Sequence, residues 1–181
     1  PFEVKNILKY WALSEKQDFH VIPTDTISIS IDKDAVLRSG IMLPDSIRHL
    51  KGKELKNAIP DKIYISLKDM RILTKVDMLM LEMLANCNWE RPLYMAISVG
   101  EVSKLKFDHY FVQEGLAFRF TPFDYKKWGN VKGDNNYAID VERLYENVMN
   151  RYKYGGLDTP GLYLDETTLR TCYYHRRLFA Q

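Results

Sequence analysis

Five residues constrain this chain more than any others. Ile27-Ser28-Ile29-Ser30-Ile31 alternates strictly between a branched apolar side chain and a small hydroxyl. Successive side chains of an extended chain point to opposite faces, so the run reads as a half-buried strand. A fold built around it needs a sheet with one apolar face and something to cover that face.

The surrounding patterns supply the cover. Val4 to Glu15 reads as a helix, with Ile7, Leu8, Trp11 and Ala12 at helical spacing. Pro23 precedes the alternating run, and Asp32 is a natural N-cap for a short helix over Lys33 to Arg38. Gly40 to Pro60 is polar and poorly periodic, with one helical turn expected after Pro44. Lys62 to Leu67 is a second strand. Thr74 and Asp77 form a capping-box pattern with Asp in place of Glu. The helix that follows, Val76 to Asn86, is apolar nearly all round, which predicts burial on more than one side. Trp89 to Pro92 turns the chain into a third strand, Leu93 to Val99, whose two apolar faces predict a central or parallel position.

Gly115 to Thr121 alternates again and is a fourth strand, followed by a loop from Phe123 to Tyr137. Asp140 caps a helix running to about Tyr152, with Val141, Leu144, Val148 and Tyr152 on one stripe, and Gly155-Gly156 stops it. After a turn at Pro160-Gly161, Asp165 caps a last helix with Leu169, Cys172, Tyr173 and Phe179 on or near one face. The expectation is a single α/β domain over residues 1–181, with a small, mostly central sheet of about four strands flanked by helices.

The 181 residues are enough for a chain of this size to bury roughly 70% of its unfolded surface. The 26 basic and 24 acidic residues are interspersed, which describes a solvated surface and excludes an electrostatic footprint for nucleic acid. The densest basic cluster, Arg170, His175, Arg176 and Arg177, reads either as a phosphate site or as cations favouring a helix C-terminus. The most apolar stretch, Met78 to Ala85, is far short of a membrane span and is broken by Glu82. No signal peptide is visible, and both ends, Pro1 and Gln181, read as cut from a longer protein. Cys87 and Cys172 lack zinc spacing; they read as two small buried thiols, or as one disulfide in an oxidising compartment.

Candidate chemistry is sparse. Asp32-Lys33-Asp34 is a D-x-D after a strand, a pattern that can hold a divalent cation against a diphosphate. The same acids are also what a helix start prefers. Asn88-Trp89-Glu90-Arg91-Pro92 gathers an indole, a carboxylate and a guanidinium in a loop between a helix and a strand. Trp89 stacking on a sugar face, with Glu90 and Arg91 hydrogen-bonding its hydroxyls, is the functional reading; Trp89 closing the core, with the two charges tying the loop, is the structural one. Tyr94, two residues beyond Pro92, is a further binding candidate. His109, in the aromatic stretch Phe107 to Phe111, is a further binding candidate, or a packing residue. Asp165-Glu166 is explained by a cap and a first turn. The four histidines lie far apart, and there is no nucleophile elbow, P-loop or GxGxxG, so no catalytic residue, metal ligand or cofactor is assigned. Twelve tyrosines are abundant for a chain of this size and suit interfaces and carbohydrate platforms.

Several strings acquire meaning together. They are Ile22-Pro23-Thr24, Asp32-Lys33, Asn88 to Tyr94 (NWERPLY) ending in Val99-Gly100, Glu114 to Arg119 (EGLAFR) and Gly161 to Arg170 (GLYLDETTLR). Their order and spacing resemble the soluble C-terminal region of a family of large bacterial multi-pass membrane proteins of unassigned function. The membrane part of that family resembles the protein O-mannosyltransferases, C-type glycosyltransferases that use lipid-linked sugars. The resemblance implies a domain on the extracytoplasmic, periplasmic face of the inner membrane, whose partners are the membrane part of its own chain and a glycan or protein acceptor. The catalytic acid of such enzymes lies near the membrane helices, and no residue here matches it. The leading expectation is therefore a non-catalytic accessory domain. An independent enzyme using Asp32 and Asp34, or Glu90 with Arg91, and a protein–protein scaffold are the alternatives.

Overall fold

The computed structural model describes residues 2–9, 15, 24–68, 73–99, 108–131, 137–157 and 159–180. The elements in chain order are β1 (Phe2–Glu3), α1 (Val4–Ile7), β2 (Thr26–Ser30), α2 (Lys33–Arg38), α3 (Gly52–Ala58), β3 (Lys62–Ser66), α4 (Lys75–Asn86), β4 (Tyr94–Ala96), β5 (Phe111–Gln113), β6 (Ala117–Phe120), β7 (Ala138–Ile139), α5 (Val141–Glu146) and α6 (Glu166–Phe179). The fold is mixed α/β, as expected. Its strands divide over two small sheets instead of sharing one central sheet: three strands in the order β1-β2-β3, and four in the order β4-β6-β5-β7.

The alternating run behaves as its period dictates. Ile27 and Ile29 of β2 lie with Ile63 and Ile65 of β3 in the core, and the two strands pair antiparallel with Ile29 opposite Ile63. One apolar core joins these isoleucines to Phe111, Val112, Phe118 and Phe120 of the second sheet. Local signals also hold at the helix starts. Asp32 accepts the Asp34 and Ala35 amides, Thr74 and Asp77 complete a reciprocal capping box, and Asp140 and Asp165 each cap the helix they precede.

Several expectations are corrected. The first helix ends its regular turns at Ile7 and passes into a wider turn; residues 10–14, with Trp11 and Ala12, lie outside the described residues, as do His20, Ile22, Pro23, Gly100 and Phe107. The polar stretch from Gly40 to Pro60 contains a helix, α3, that buries no residue fully and so left no apolar stripe to read. Helix α4 is buried on one side only. Leu81, Leu84 and Ala85 face the core while Val76, Leu79 and Met83 are exposed, Leu79 at 57%. The predicted third strand shortens to β4 and sits at a sheet edge, antiparallel to β6. Apolar composition on both faces does not place a strand centrally when its neighbour β6 pairs with β5 on its other side. The pairs β5 and β7 went unread because strands of three and two residues carry too little period.

The C-terminal helices pack lightly. Helix α5 passes into a wide π-type turn over Asn147–Arg151, and α6 contributes only Leu178 to a small second cluster with Leu144 and Val148. Val141, placed on the inward stripe by its spacing, is exposed, as are Leu169, Tyr173 and Phe179 on α6. The inward positions of α6 are Thr168, Cys172, His175 and Leu178, one turn apart. Both thiols are half-buried and unbridged, and the Cys87 thiol is pushed up by burial. No helix among the described residues is long and apolar enough to cross a membrane.

Candidate functional site

The second sheet has two unlike faces, and the difference follows from register. Tyr94 lies opposite Arg119, Arg119 opposite Val112, and Val112 opposite Ala138. Side chains two residues apart share a face, so Tyr94, Arg119, Glu114 and Asp140 line one face of the sheet. Phe118 and Phe120 line the other, where Phe118 meets Tyr137 edge-on and Phe120 stacks on Trp89.

Glu114 is the hub of the polar face. It is 5% exposed, and Arg119 beside it is 4% exposed. Glu114 Oε1 accepts from Arg143 Nη1 at 3.0 Å and meets Arg119 Nη1 at 3.5 Å. Glu114 Oε2 accepts from the Tyr94 hydroxyl at 2.9 Å. Arg119 also donates to the Ser39 carbonyl at 2.8 Å, and Arg143 donates to the Gly40 carbonyl and lies 3.6 Å from Asp140. Two carboxylates thus face two guanidiniums, which is the condition for burying such charges at tolerable cost. The network ties β4, β5 and β6 to the end of α2 and the start of α5. Asn147 and Tyr152 extend it: the Asn147 amide donates to the Glu114 carbonyl at 2.6 Å, and the Tyr152 hydroxyl accepts the Leu116 amide at 2.8 Å. A buried carboxylate whose two oxygens are both engaged, one by two guanidiniums and the other by a hydroxyl, acts as a clamp.

Tyr94 is where this clamp reaches solvent. The residue is 45% exposed on the edge strand, yet its hydroxyl is held inward. Partial burial and the neighbouring Glu114 carboxylate both push its phenol above the ordinary tyrosine value. The outcome is a ring at fixed orientation on the surface. Glu90 and Arg91, four and three residues earlier, are exposed in the connecting turn. That spacing keeps their backbone within about 14 Å of Tyr94.

The remaining sequence candidates fall in other roles. Trp89 is buried at 4%, stacks on Phe120 at 5.3 Å, and donates its indole N–H to the Ser30 carbonyl at 3.3 Å. It joins the two sheets and is out of reach of a sugar face. Its φ of +63° is unusual for a bulky residue and is held by this packing. His109 is half-buried in a 3-10 turn before β5, where its carbonyl accepts the Tyr125 amide at 2.9 Å. The D-x-D serves the helix: Asp32 is consumed by capping, and Asp34 pairs with Lys56 at 2.6 Å, which with burial against it still holds its carboxyl below the usual range. Among the described residues no group of three or more His, Cys, Asp or Glu is placed to hold a metal. In the basic cluster Arg170 pairs with Glu166 at 2.9 Å, while His175 meets Tyr152 and Tyr154 edge-on. His175, Arg176, Cys172, Phe179, Tyr154 and Leu157 surround an open apolar hollow of about 280 Å³ on α6.

Glu114, Arg119 and Arg143 were missed as a site. The one signal was Arg119 standing between Phe118 and Phe120 in an alternating strand. Such an arginine ordinarily faces water, and nothing local says that this polar face is covered. Of the strings singled out in the sequence, NWERPLY supplies Tyr94 and EGLAFR supplies Glu114 and Arg119, so two strings apart in the chain meet in one clamp. The family model described as TMEM260-associated domain 2 matches residues 3–142, well over half of the chain. No curated protein and no solved structure matches it.

Proposed function

Since the chain belongs to the TMEM260-associated domain 2 family, we propose that it is a non-catalytic accessory domain of a glycosyltransferase-like membrane protein. It works at the extracytoplasmic face, where it holds the acceptor protein or glycan, or braces the membrane part of its own chain. One observation carries the binding role: the Tyr94 ring is exposed while its hydroxyl is locked to Glu114, with Glu90 and Arg91 free in the adjoining turn. A rigid aromatic ring flanked by a carboxylate and a guanidinium suits the apolar face and the hydroxyls of a sugar, or an extended peptide. The resemblance to the membrane proteins noted above supplies the setting.

The test has two arms. The purified domain is titrated with acceptor glycans and peptides, comparing wild type with Tyr94→Ala and Glu90→Ala/Arg91→Ala. The full-length parent is assayed for glycosylation with and without residues 1–181. Binding that falls at least tenfold in the variants supports the reading. No binding by the folded domain, together with full activity after deletion, overturns it.

A scaffold reading is favoured by one different feature. Val141, Tyr145 and Met149 are all exposed at i, i+4 and i+8, an apolar stripe along α5 and its π-type turn. Retention of a partner protein that is lost in Val141→Glu/Tyr145→Glu but kept in Tyr94→Ala would select this reading instead.

A further inference from the structure

The free edge of β3 has the properties of a self-pairing strand, and we infer that it joins a second copy of this chain. Asp61, Ile63, Ile65 and Leu67 hydrogen-bond toward β2, as the Ile31 amide to Asp61 carbonyl bond at 2.9 Å and the Leu67 amide to Asp25 carbonyl bond at 2.8 Å show. Antiparallel bonding alternates along a strand, so the N–H and C=O groups of Lys62, Tyr64 and Ser66 point the other way. Among the described residues those groups have no partner. The side chains of the same three residues are exposed, Tyr64 at 55%. Folded proteins usually blunt such an edge with a proline, an inward charge or a bulge. Within β3 there is none of these, and the one lysine, Lys62, already reaches back to Glu3 at 3.1 Å.

The residue pattern selects one mode of pairing. A two-fold axis at Tyr64 makes an antiparallel pair in which Tyr64 meets Tyr64 of the second copy and Lys62 meets Ser66. All three outward N–H groups and all three outward C=O groups of each copy are then bonded. Parallel pairing places Lys62 alongside Lys62, and an axis at Lys62 does the same while setting Tyr64 against Pro60, which has no N–H to offer. Like charges directly opposed destabilise a strand pair, and aromatic pairs stabilise it. Ile63 and Ile65 stay in the core of each copy, so the product is a six-stranded sheet ordered β1-β2-β3-β3-β2-β1. The contact is small and belongs to the weak, concentration-dependent class.

Sedimentation velocity on the chain, from about micromolar to about millimolar, reads the result. Wild type is expected to dimerise within that range. Tyr64→Pro removes an outward N–H together with the ring at the axis, and Tyr64→Lys sets two ammonium groups at the axis. Each is expected to raise the midpoint concentration at least tenfold while the thermal melt shows a folded chain. A mixing test fixes the register in a Cys87→Ser/Cys172→Ser background: Lys62→Cys should form a disulfide with Ser66→Cys, and neither variant with itself. A wild type that stays monomeric at the highest concentration overturns the inference, and so does a dimer that folded Tyr64→Lys leaves unchanged. A monomer that instead captures extended peptides along β3 would also overturn it.

Discussion

Glu114→Gln removes one charge from the clamp with almost no change of shape. Of the two guanidiniums, Arg143 still meets the Asp140 carboxylate, while Arg119 loses the carboxylate it faces. The side chain of Arg143 is 37% exposed and keeps Asp140 at 3.6 Å, so its loss is that of a largely solvated pair, about 0–1 kcal/mol. Arg119 is the decisive partner. Its side chain is 4% exposed, its Nε already lacks a hydrogen-bond partner, and Glu114 is its counter-ion. Removing one member of a buried pair costs about 3–5 kcal/mol, because the other charge is left behind in a poor solvent. For a domain of this size each kcal/mol lowers Tm by roughly 2–4 °C, so a fall on the order of 10 °C is expected. Urea unfolding followed by far- and near-ultraviolet circular dichroism measures it. The companion Glu114→Gln/Arg119→Met removes both charges, and its loss should fall short of the sum of the single variants by at least about 1 kcal/mol. A Glu114→Gln loss below about 1 kcal/mol, or strict additivity in the cycle, would refute the buried-clamp reasoning.

Two further outcomes test the same region. Gly115 has a φ of +134°, and a Cβ there would lie 2.3 Å from the Tyr152 hydroxyl oxygen that accepts the Leu116 amide. Gly115→Ala should therefore cost about 1–3 kcal/mol, Tyr152→Phe in the same chain should recover only part of it, and a change within about 0.5 kcal/mol would count against the close approach. Tyrosine ionisation supplies a pH test. Burial, and then the Asp124 carboxylate, push Tyr110 up to about 12. Its folded value exceeds the unfolded value of about 10, so the folded chain holds this proton more tightly. That stability is complete below about pH 10 and is lost as pH rises toward about 12. Phenolate absorbance should show late-titrating groups that are absent in urea, Tyr94 and Tyr125 among them, and Tyr110→Phe should lower their amplitude by one tyrosine.

The sequence by itself determined much of the local structure. Period placed β2, β3 and β6, and side-chain chemistry placed the starts of α2, α4, α5 and α6, because a cap is made between residues two or three apart. The α/β class followed from that alternation. Tertiary structure alone decided the division into two sheets, the edge position of β4 and the exposed side of α4, because each depends on which surface happens to lie opposite. It also decided the site. Trp89 was legible as an important residue, but whether its indole met a ligand or the carbonyl of Ser30, 59 residues away, was not written near it. The bond from Arg119 to the Ser39 carbonyl spans 80 residues. A charged residue in a strand reads as solvent-facing until the chain brings a distant segment over it, and only that covering turns Glu114 and Arg119 into a clamp and Tyr94 into a fixed surface ring.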